Sequence, residues 1–194
     1  MNHNYFGMIF RIKFIKRWAL MRNLSEETLS QHSIDTAFIA HALGVIAKTR
    51  LNENVDPEHI LSVALFHDTA EIITGDLPTP VKYYNDEIKN AYKDIEEKAE
   101  NILLDMLPSD LREEYIPLYK CDDITKKYVK AADKISALIK CKEELSLGNK
   151  EFEIAAKTTE KAIKELKLPA ADIFIKEFLP QVNCPLDENM KNIL

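Results

Sequence analysis

An adjacent histidine and aspartate, His67 and Asp68, lie near the end of a strongly apolar segment of the chain. Asp56 is a favourable N-cap and Pro57 suits the first helical position, so this segment is predicted to be a helix. At about 100° per residue, His67, Asp68 and Glu71 fall within roughly 100° of arc on that helix. Carboxylates among so many apolar residues are unfavourable unless they are paired or bind a metal. A metal site is the simplest interpretation.

Two further residues complete a candidate metal site. His32 lies at the start of the preceding predicted helix, and Asp133 lies within a later one, with small and apolar residues one turn away from it. With His67 and Asp68 they supply two imidazoles and two carboxylates from three helices, a mixed set that suits a first-row divalent transition metal. Four protein ligands leave room for water on a five- or six-coordinate metal, and that water is the potential nucleophile.

The chain resembles the HD-domain phosphohydrolases and, within them, the bacterial 5′-deoxynucleotidases. The broader resemblance rests on His32, His67-Asp68 and Asp133. The narrower one covers about residues 9–150, with weaker similarity beyond, and rests on Arg17-Trp-Ala-Leu-Met-Arg-Asn, Ser30-Gln-His-Ser, His67-Asp-Thr-Ala-Glu-Ile-Ile-Thr-Gly-Asp-Leu-Pro-Thr-Pro-Val-Lys-Tyr and Lys130-Ala-Ala-Asp. A bare His-Asp pair carries little information, whereas the long stretch after His67 is specific. Gln31 departs from the family, which usually has a glutamate before this histidine.

The histidine count bears on the number of metal ions. Many binuclear members of the superfamily carry extra histidines between the His-Asp pair and the last aspartate, but no histidine follows His67 in this chain. His41 comes nine residues after His32 and points about 180° away on the same helix. The resemblance therefore implies one divalent ion, cobalt, manganese or similar, although carboxylates could supply a second site.

The resemblance also implies two catalytic side chains. Glu71 matches the family's catalytic carboxylate, consistent with a group that polarises or deprotonates the attacking water. Arg17 matches an arginine on the substrate phosphate, where it would orient the phosphate and stabilise its charge. The alternatives, a surface position for Glu71 and a solvated basic stripe of Lys13 and Arg17, remain open.

A larger set of residues is implied to bind substrate. The tryptophan of the Arg-Trp pair is expected beside the nucleoside, and the loop after the His-Asp helix is expected to hold the sugar, unless its aspartate only caps a turn. The implied substrate-binding residues are Arg17, Trp18, Asp68, Asp76, Leu77, Pro78 and Thr79.

The implied reaction is metal-dependent hydrolysis of deoxyribonucleoside 5′-monophosphates to deoxyribonucleoside and phosphate. One alternative is another HD phosphohydrolase chemistry, on a nucleoside triphosphate, an alarmone or a cyclic nucleotide, which the few cations near the site disfavour. The other is a catalytically silent nucleotide-binding protein, against which the complete ligand set argues. The resemblance further implies a homodimer, and Ile173, Phe174 and Phe178 could supply its interface or complete the core.

The composition limits the class of protein and its partners. With 194 residues, 46% of them hydrophobic, the chain is expected to form one domain over residues 1–194. A formal net charge of −6 disfavours a nucleic-acid polymer as partner, because polyanion binding relies on many basic contacts. Three scattered cysteines, with neither a signal peptide nor a span of roughly 20 apolar residues, favour a cytoplasmic protein away from membranes.

Helical periodicity recurs along the chain and two-residue alternation never appears, which with the resemblance predicts an all-α HD-type helical bundle. The predicted helices cover about residues 5–18, 31–49, 57–73, 86–107, 108–115, 124–147, 150–167 and 170–179. The predicted inward-facing residues of the second helix are Ile34, Ala37, Phe38, Val45 and Ile46. The helical pattern of the fourth, in steps of three and four, consists of Ile88, Tyr92, Ile95, Ala99, Ile102, Leu103 and Met106.

Overall fold

The computed structural model describes residues 4–82 and 84–191, and helices dominate both ranges. No β-strand occurs within them, and the extended pairing there is an isolated antiparallel bridge between Lys16 and Thr28. The predicted all-α class is therefore confirmed. Among the described residues, none of the helices combines the length and the apolar character that crossing a membrane requires.

The helices differ widely in length. In the described ranges the α-helices are α1 (Tyr5–Ile9), α2 (Leu29–Arg50), α3 (Pro57–Phe66), α4 (Glu71–Thr74), α5 (Thr79–Lys82), α6 (Asp86–Asp105), α7 (Ser109–Tyr119), α8 (Asp123–Ser146), α9 (Glu153–Glu165), α10 (Pro169–Glu177), α11 (Leu179–Val182) and α12 (Leu186–Met190). Short 3-10 helices cover Phe10–Phe14 and Lys150–Phe152.

The main core lies between α2, α3 and α8, which pack against one another, while α9 covers α8 and α10 covers α2. Leu43, Ile60, Ile135 and Leu138 are fully buried there. Gly44 lets α2 approach the start of α3 closely, because an added Cβ would lie only 2.9 Å from a backbone carbon of the first α3 residue. This close packing brings the three helices that carry the predicted metal ligands into contact.

A second, smaller core joins the N-terminal segment to the other side of the bundle. Tyr5 of α1 packs with Leu103 and Leu104 of α6 and with Leu107. The Tyr5 hydroxyl also lies 2.7 Å from the hydroxyl of Tyr119 at the end of α7. These contacts hold α1 against α6 and the end of α7.

Side-chain caps define where the three central helices begin. Thr28 caps α2, since its hydroxyl accepts the Gln31 N–H at 3.3 Å. Asp56 caps α3 by accepting the N–H groups of two first-turn residues, each at 3.1 Å, as the sequence predicts. Asp122 caps α8 in the same way, at 2.8 and 2.9 Å.

The first predicted helix, over 5–18, is wrong in its second half. After α1 and the following 3-10 turn, the chain becomes extended at Ile15 and pairs with the segment before α2. The Arg17 N–H donates to the Glu27 carbonyl at 3.0 Å, and the Leu29 N–H donates to the Ile15 carbonyl at 2.9 Å. These non-local bonds replace helical ones, so Lys13 and Arg17 do not form the basic stripe of one helix.

The predicted helix over 57–73 is interrupted at its most important point. α3 ends at Phe66, and tight turns lead to α4, with the Glu71 N–H bonded to the Asp68 carbonyl three residues earlier at 3.0 Å. The His67 ring donates through Nδ1 to the Ala64 carbonyl at 2.7 Å. That carbonyl is the acceptor that a continuing helix would offer to the Asp68 N–H, so the side chain competes with the helix for it.

Several predicted inward-facing residues are exposed instead. Phe38 is 70% exposed, while small residues of α2 face the core. α2 carries apolar residues around its whole circumference, so periodicity alone does not mark the buried side. Of the predicted inward-facing residues, Ile34, Phe38 and Val45 are exposed, whereas Ala37 and Ile46 are buried. The helical spacing predicted for the fourth helix is confirmed by α6, in which Tyr92, Ala99 and Leu103 are buried and Ile88, Ile95 and Ile102 are exposed.

The remaining helix boundaries differ in smaller ways. α7 runs through Pro117 to Tyr119 instead of ending at about 115, and α11 and α12 were not predicted. At the C-terminal side, Phe174 belongs to the main core, while Phe178 is 42% exposed. Of the two alternatives for these aromatic residues, core completion therefore holds for Phe174.

Candidate metal centre and substrate pocket

The fold brings the four predicted metal ligands together. Donor atoms of His32, His67 and Asp68 all lie within 4.8 Å of one another. Oδ2 of Asp68 is 3.1 Å from Nε2 of His67 and 3.7 Å from Nε2 of His32. Oδ1 of Asp133 is 3.2 Å from Nε2 of His32. The cluster joins the first turn of α2, the turn after α3 and the middle of α8.

Each histidine is held through its Nδ1 atom, so that Nε2 faces the carboxylates. Because the His67 Nδ1 donates to a carbonyl, its Nε2 carries the free lone pair in the neutral ring. The Nδ1 of His32 lies 3.1 Å from the Ser136 hydroxyl, one turn after Asp133 on α8. A partner on the second ring nitrogen is the usual way in which proteins orient metal-binding imidazoles.

Unsatisfied atoms and perturbed charges show that a divalent cation fits this cluster. Among the described residues, the buried Oε2 of Glu71 has no hydrogen-bond partner, and the buried Nε2 of His67 makes no hydrogen bond of good geometry although Oδ2 of Asp68 lies 3.1 Å away. Burial lowers the pKa of His67, but the charges of Asp68 and Asp133 raise it to about 9 overall. Burial raises the pKa of Asp68, yet the neighbouring His67 holds it well below its usual range. Concentrated carboxylate charge beside imidazole nitrogens is the donor set of a transition-metal site.

Glu71 is buried beside this cluster, with 5% of its surface exposed. Its burial and the negative charges of Asp68 and Asp76 raise the pKa of its carboxyl group to about 9, against the opposing effect of Lys82 and Arg17. The alternative of a solvent-exposed Glu71 is therefore wrong. A carboxylate with such a raised pKa next to a candidate metal site is a candidate for proton transfer.

Arg17 lies in the extended segment and Trp18 follows it at the start of a turn, with φ +59°, and both contact Glu27, a residue that the sequence motifs did not point to. Glu27 accepts the Arg17 Nε–H at 3.1 Å and the Trp18 indole N–H at 2.7 Å. The Nη1 of Arg17 lies 3.6 Å from the Asp68 carboxylate, which places the guanidinium at the edge of the metal cluster. A buried arginine needs a carboxylate partner, which is the signal that could have pointed to Glu27.

The predicted sugar-binding loop lies next to the same cluster. Gly75 adopts φ +75° and ψ 160°, and its carbonyl accepts the Tyr92 hydroxyl at 3.3 Å. Asp76 is partly buried, and burial raises the pKa of its carboxyl group while Arg17 opposes the rise. The other predicted loop residues follow: Leu77 and Pro78 are partly buried, and Thr79 is exposed at the first position of α5.

One cavity lies beside two of the predicted metal ligands, and another lies beside Arg17 and Trp18. A cavity of about 310 Å³ is lined by His67 and Asp133 together with Lys126, Lys130 and Lys134 of α8. A second cavity, of about 260 Å³, has Arg17, Trp18 and Glu27 among its lining residues. The three lysines add positive charge that the sequence analysis did not assign to the site.

Gln31, which departs from the family pattern, takes part in a helix cap. Its side-chain oxygen accepts the Thr28 N–H at 2.8 Å and the Thr28 hydroxyl at 2.9 Å. Together with the reciprocal bond from the Gln31 N–H, this forms a capping box, in which glutamine and glutamate are both common. The Gln31 side chain therefore supports the start of α2 just before His32.

Comparison with solved structures identifies the fold of the chain. An HD-domain phosphohydrolase from Listeria innocua superposes with a TM-score of 0.81 at 23% identity, covering 98% of this chain and 95% of that one. The HD phosphohydrolase of cyanophage S-2L, solved with dA and one catalytic Zn²⁺, gives a TM-score of 0.64 at 18% identity, covering 91% and 95%. The chain therefore has the fold of the HD-domain phosphohydrolases.

Sequence comparison then narrows this class. The family model described as 5′-deoxynucleotidase YfbR-like matches residues 4–182, and the chain belongs to this family. The 5′-deoxynucleotidase of Vibrio atlanticus is 44% identical over 188 residues, covering 95% of this chain and 97% of the relative. That of Photorhabdus laumondii is 44% identical over 191 residues, covering 97% and 96%. The resemblance stated from the motifs is thereby confirmed.

Proposed function

We propose that the protein hydrolyses deoxyribonucleoside 5′-monophosphates to deoxyribonucleoside and phosphate, with the help of one divalent transition metal ion. The observation that carries this proposal is the convergence of His32, His67, Asp68 and Asp133 in a chain that belongs to a 5′-deoxynucleotidase family. Relatives that are 44% identical over nearly their whole length carry the same enzyme name.

The four converging side chains would hold the metal through two imidazole nitrogens and two carboxylates. A metal ion in such a site polarises phosphate oxygens and lowers the pKa of a bound water. The fixed Nδ1 contacts of both histidines mean that little rearrangement is needed for their Nε2 atoms to serve as ligands. Cobalt and manganese are the ions we propose to test first, together with the zinc found in the cyanophage S-2L protein.

Arg17 would bind the substrate phosphate. Its Nε is occupied by Glu27, so the terminal nitrogens remain for an anion beside Asp68. Planar arginine–phosphate bonding orients the phosphate and stabilises the charge that develops during phosphoryl transfer. Trp18, next in the chain, would lie beside the nucleoside.

Glu71 would accept a proton from the attacking water. Burial and then the charges of Asp68 and Asp76 raise its pKa to about 9, and a cation held by the neighbouring ligands would lower that pKa by offsetting the carboxylate charge. The carboxylate then has the strength that a general base needs at neutral pH. Its unpartnered Oε2 atom is available for this role.

Asp76 would recognise the sugar by accepting a hydrogen bond from the 3′-hydroxyl, with Leu77, Pro78 and Thr79 shaping the pocket. The bond from Tyr92 to Gly75 and the fixed φ of Pro78 restrain this loop. A restrained pocket fitted to deoxyribose disfavours an added 2′-hydroxyl through crowding or an unpaired polar group. We expect a preference for deoxyribonucleotides of at least roughly tenfold.

The remaining assignments are also proposals. We propose that the protein is cytoplasmic and that it forms a homodimer. We also propose that residues 1–194 form one domain, since the main core joins helices from α2 to α11. The exposed stripe of Ile34, Phe38 and Val45 on α2, at steps of four and seven residues, offers an apolar surface for a second copy.

Phosphate release from paired deoxyribonucleoside and ribonucleoside 5′-monophosphates, measured with each divalent metal, tests the proposed reaction. We expect metal-dependent turnover, abolished by chelation, with kcat/KM at least roughly tenfold higher for each deoxyribonucleotide. Asp76→Ala should remove most of that preference. Equal use of both sugars by the wild type would contradict the deoxynucleotidase assignment.

Assays with deoxynucleoside triphosphates distinguish the proposed reaction from the main alternative. The lysine-lined cavity beside His67 and Asp133 could accommodate further phosphate groups. Release of pyrophosphate or triphosphate from deoxynucleoside triphosphates, faster than phosphate release from monophosphates, would favour the other HD chemistry. Absence of turnover on any of these substrates with any metal would favour the catalytically silent protein.

A further inference from the structure

Glu27 is a buried carboxylate whose contacts all lead to the two residues proposed to bind substrate. Only 8% of its surface is exposed. One oxygen, Oε2, accepts both the Arg17 Nε–H at 3.1 Å and the Trp18 indole N–H at 2.7 Å. The sequence analysis assigned no role to Glu27, and the proposed reaction uses it in no step.

The backbone strengthens this arrangement. The Glu27 carbonyl accepts the Arg17 N–H at 3.0 Å, so the two residues are joined through both main chain and side chain. Thr28, the next residue, caps α2, which carries His32 one turn later. Glu27 therefore connects the segment that carries Arg17 and Trp18 directly to the start of α2, which supplies the predicted metal ligand His32.

A second buried carboxylate holds the other end of the same segment. Glu144 of α8 accepts the N–H groups of Leu24 and Ser25 at 3.0 and 2.9 Å, and Lys140 donates to the Ser25 carbonyl. The segment between Trp18 and Glu27 is thus fixed to the bundle independently of Arg17. Loss of the Glu27 carboxylate would release Arg17 and Trp18 without detaching the segment that carries them.

We propose that Glu27 is a positioning residue, which ties Arg17 and Trp18 into one unit so that the arginine faces the phosphate while the indole ring stays beside the nucleoside. Binding of Nε leaves the terminal nitrogens of Arg17 directed towards Asp68, 3.6 Å away. The Trp18 ring meanwhile packs against Phe152, with 5.2 Å between the ring centres. This inference rests on the proposed function, because it assigns Arg17 and Trp18 to substrate.

Charge balance explains why a carboxylate is needed at this position. Arg17 is buried, and a buried cation requires a close anionic partner. Without Glu27, the nearest partner for Arg17 is Asp68, the carboxylate that also faces both histidines. Arg17 would then pair with Asp68 alone, and its terminal nitrogens would no longer be left for the phosphate.

Three variants of the full-length, metal-loaded protein test this proposal. Glu27→Gln removes the charge and keeps the size, Glu27→Asp keeps the charge and shortens the reach, and Glu26→Gln is the matched control. Glu26 is the preceding residue, exposed and paired with Lys16 at 2.6 Å. Each variant is compared with wild type for metal content, Tm, kcat, KM and fluorescence.

Fluorescence reports the positioning directly, because Trp18 is the single tryptophan of the sequence. We expect Glu27→Gln to shift the Trp18 emission and to lower kcat/KM for a deoxynucleoside 5′-monophosphate by about 10- to 100-fold, the range for a hydrogen bond to a charged group. Metal content should match wild type. Glu27→Asp should give a Trp18 emission and a kcat/KM between those of Glu27→Gln and wild type, and Glu26→Gln should leave both quantities unchanged.

Three outcomes would overturn the inference. Wild-type emission and kcat/KM in Glu27→Gln would show that Arg17 and Trp18 keep their places without the carboxylate. A large, equal loss of Tm in both Glu27 variants would make Glu27 a residue of general stability. A change in emission without any change in kcat or KM would separate Glu27 from substrate binding.

Failure of the proposed function gives a different result. If wild type releases no phosphate from any deoxynucleoside 5′-monophosphate, the reaction is wrong whatever Glu27 does. Titration of wild type and Glu27→Gln with inorganic phosphate, followed through Trp18 emission, then tests the positioning role without turnover. If phosphate changes the Trp18 emission equally in the two proteins, the inference is overturned in that case as well.

Discussion

The ionisation of His67 and Asp68 shows how single residues prepare the site for a cation. Asp68 and Asp133 hold a proton on His67 by raising its pKa to about 9 in the metal-free protein, against the opposing effect of burial. A metal must displace that proton to use the His67 Nε2 atom, since only the neutral ring offers a lone pair. Proton and metal therefore compete for one nitrogen.

This competition sets the pH dependence of metal binding. Below about pH 9 His67 is protonated in the metal-free protein, so metal affinity should fall as the pH is lowered, by about tenfold per pH unit for one displaced proton. Equilibrium dialysis with cobalt at several pH values checks this. Asp68→Ala should lower the affinity by at least about 100-fold, while the exposed Asp172→Ala serves as control. An affinity that is independent of pH would contradict the assignment of His67.

Substitution of Glu71 should lower the catalytic rate without loss of metal or substrate binding. Glu71→Ala should keep its metal and still bind a deoxynucleoside 5′-monophosphate, because none of the four proposed metal ligands is altered. We expect kcat to fall about 10²- to 10⁴-fold, the range for general acid–base groups. Single-turnover kinetics and metal analysis of the same preparation measure both properties. A nearly normal kcat would reduce Glu71 to a structural residue.

At the scale of elements, the break between α3 and α4 and the extended segment before α2 shape the site. α3 ends just before His67, and the tight turns that follow place Glu71 at the start of α4 with its N–H bonded to the Asp68 carbonyl. The bridge between Lys16 and Thr28 holds Arg17 against the segment that carries Glu27. Both features turn polar side chains towards the place where α2, α3 and α8 meet.

Gly75 ends α4 and sets the direction of the Asp76 loop. Its φ of +75° with ψ of 160° is a conformation that side chains with a Cβ rarely adopt, although no atom lies within 4 Å of an added Cβ. Gly75→Ala should cost about 1–3 kcal/mol of folding free energy through strain alone. The displaced loop should raise KM and weaken the preference for deoxyribose.

Gly148→Ala is the matched control for this change. Gly148 also has a positive φ, of +87°, and open space around its Cβ position, but it follows α8 far from the Asp76 loop. Chemical denaturation should show destabilisation in both variants, whereas sugar preference should change in Gly75→Ala alone. Unchanged kinetics in Gly75→Ala would remove the loop from substrate recognition.

At the scale of the whole molecule, the charge of the site differs from that of the chain. The net charge is −6, yet Arg17 and three lysines lie beside the candidate metal centre. These cations can bind the phosphate groups of a small substrate, while the acidic charge of the chain as a whole disfavours long polyanions. Charge placement therefore fits a small phosphorylated substrate, and the assays with mono- and triphosphates decide between the two.

The proposed homodimer gives a test at the same scale. Phe38 is 70% exposed at the centre of the α2 stripe, a large apolar area for a monomer to leave in water. Phe38→Glu should convert the dimer into a monomer without loss of helix content, as measured by analytical ultracentrifugation and circular dichroism. Ile154→Glu, at another exposed apolar position on α9, is the control. A wild type that sediments as a monomer would contradict the dimer, and a dimeric Phe38→Glu would assign its interface to another face.

The sequence by itself determined the helical class, most of the long helices and the set of candidate metal ligands. Helical periodicity, caps such as Asp56 and the side-chain chemistry of His67-Asp68 are local properties, and local properties can be read along a chain. The roles of these ligands and of Arg17, Glu71 and Asp76 stay predictions that the experiments above address.

Only the tertiary structure decided how these residues meet. The sequence could not show that Arg17 lies outside a helix, because Glu27 binds Arg17 and Leu29 binds Ile15, each more than a helical turn away along the chain. Nor could it show that Phe38 faces solvent, because an all-round apolar helix buries whichever side its neighbours cover. Such outcomes depend on packing between distant segments, and that packing gives the candidate site its geometry.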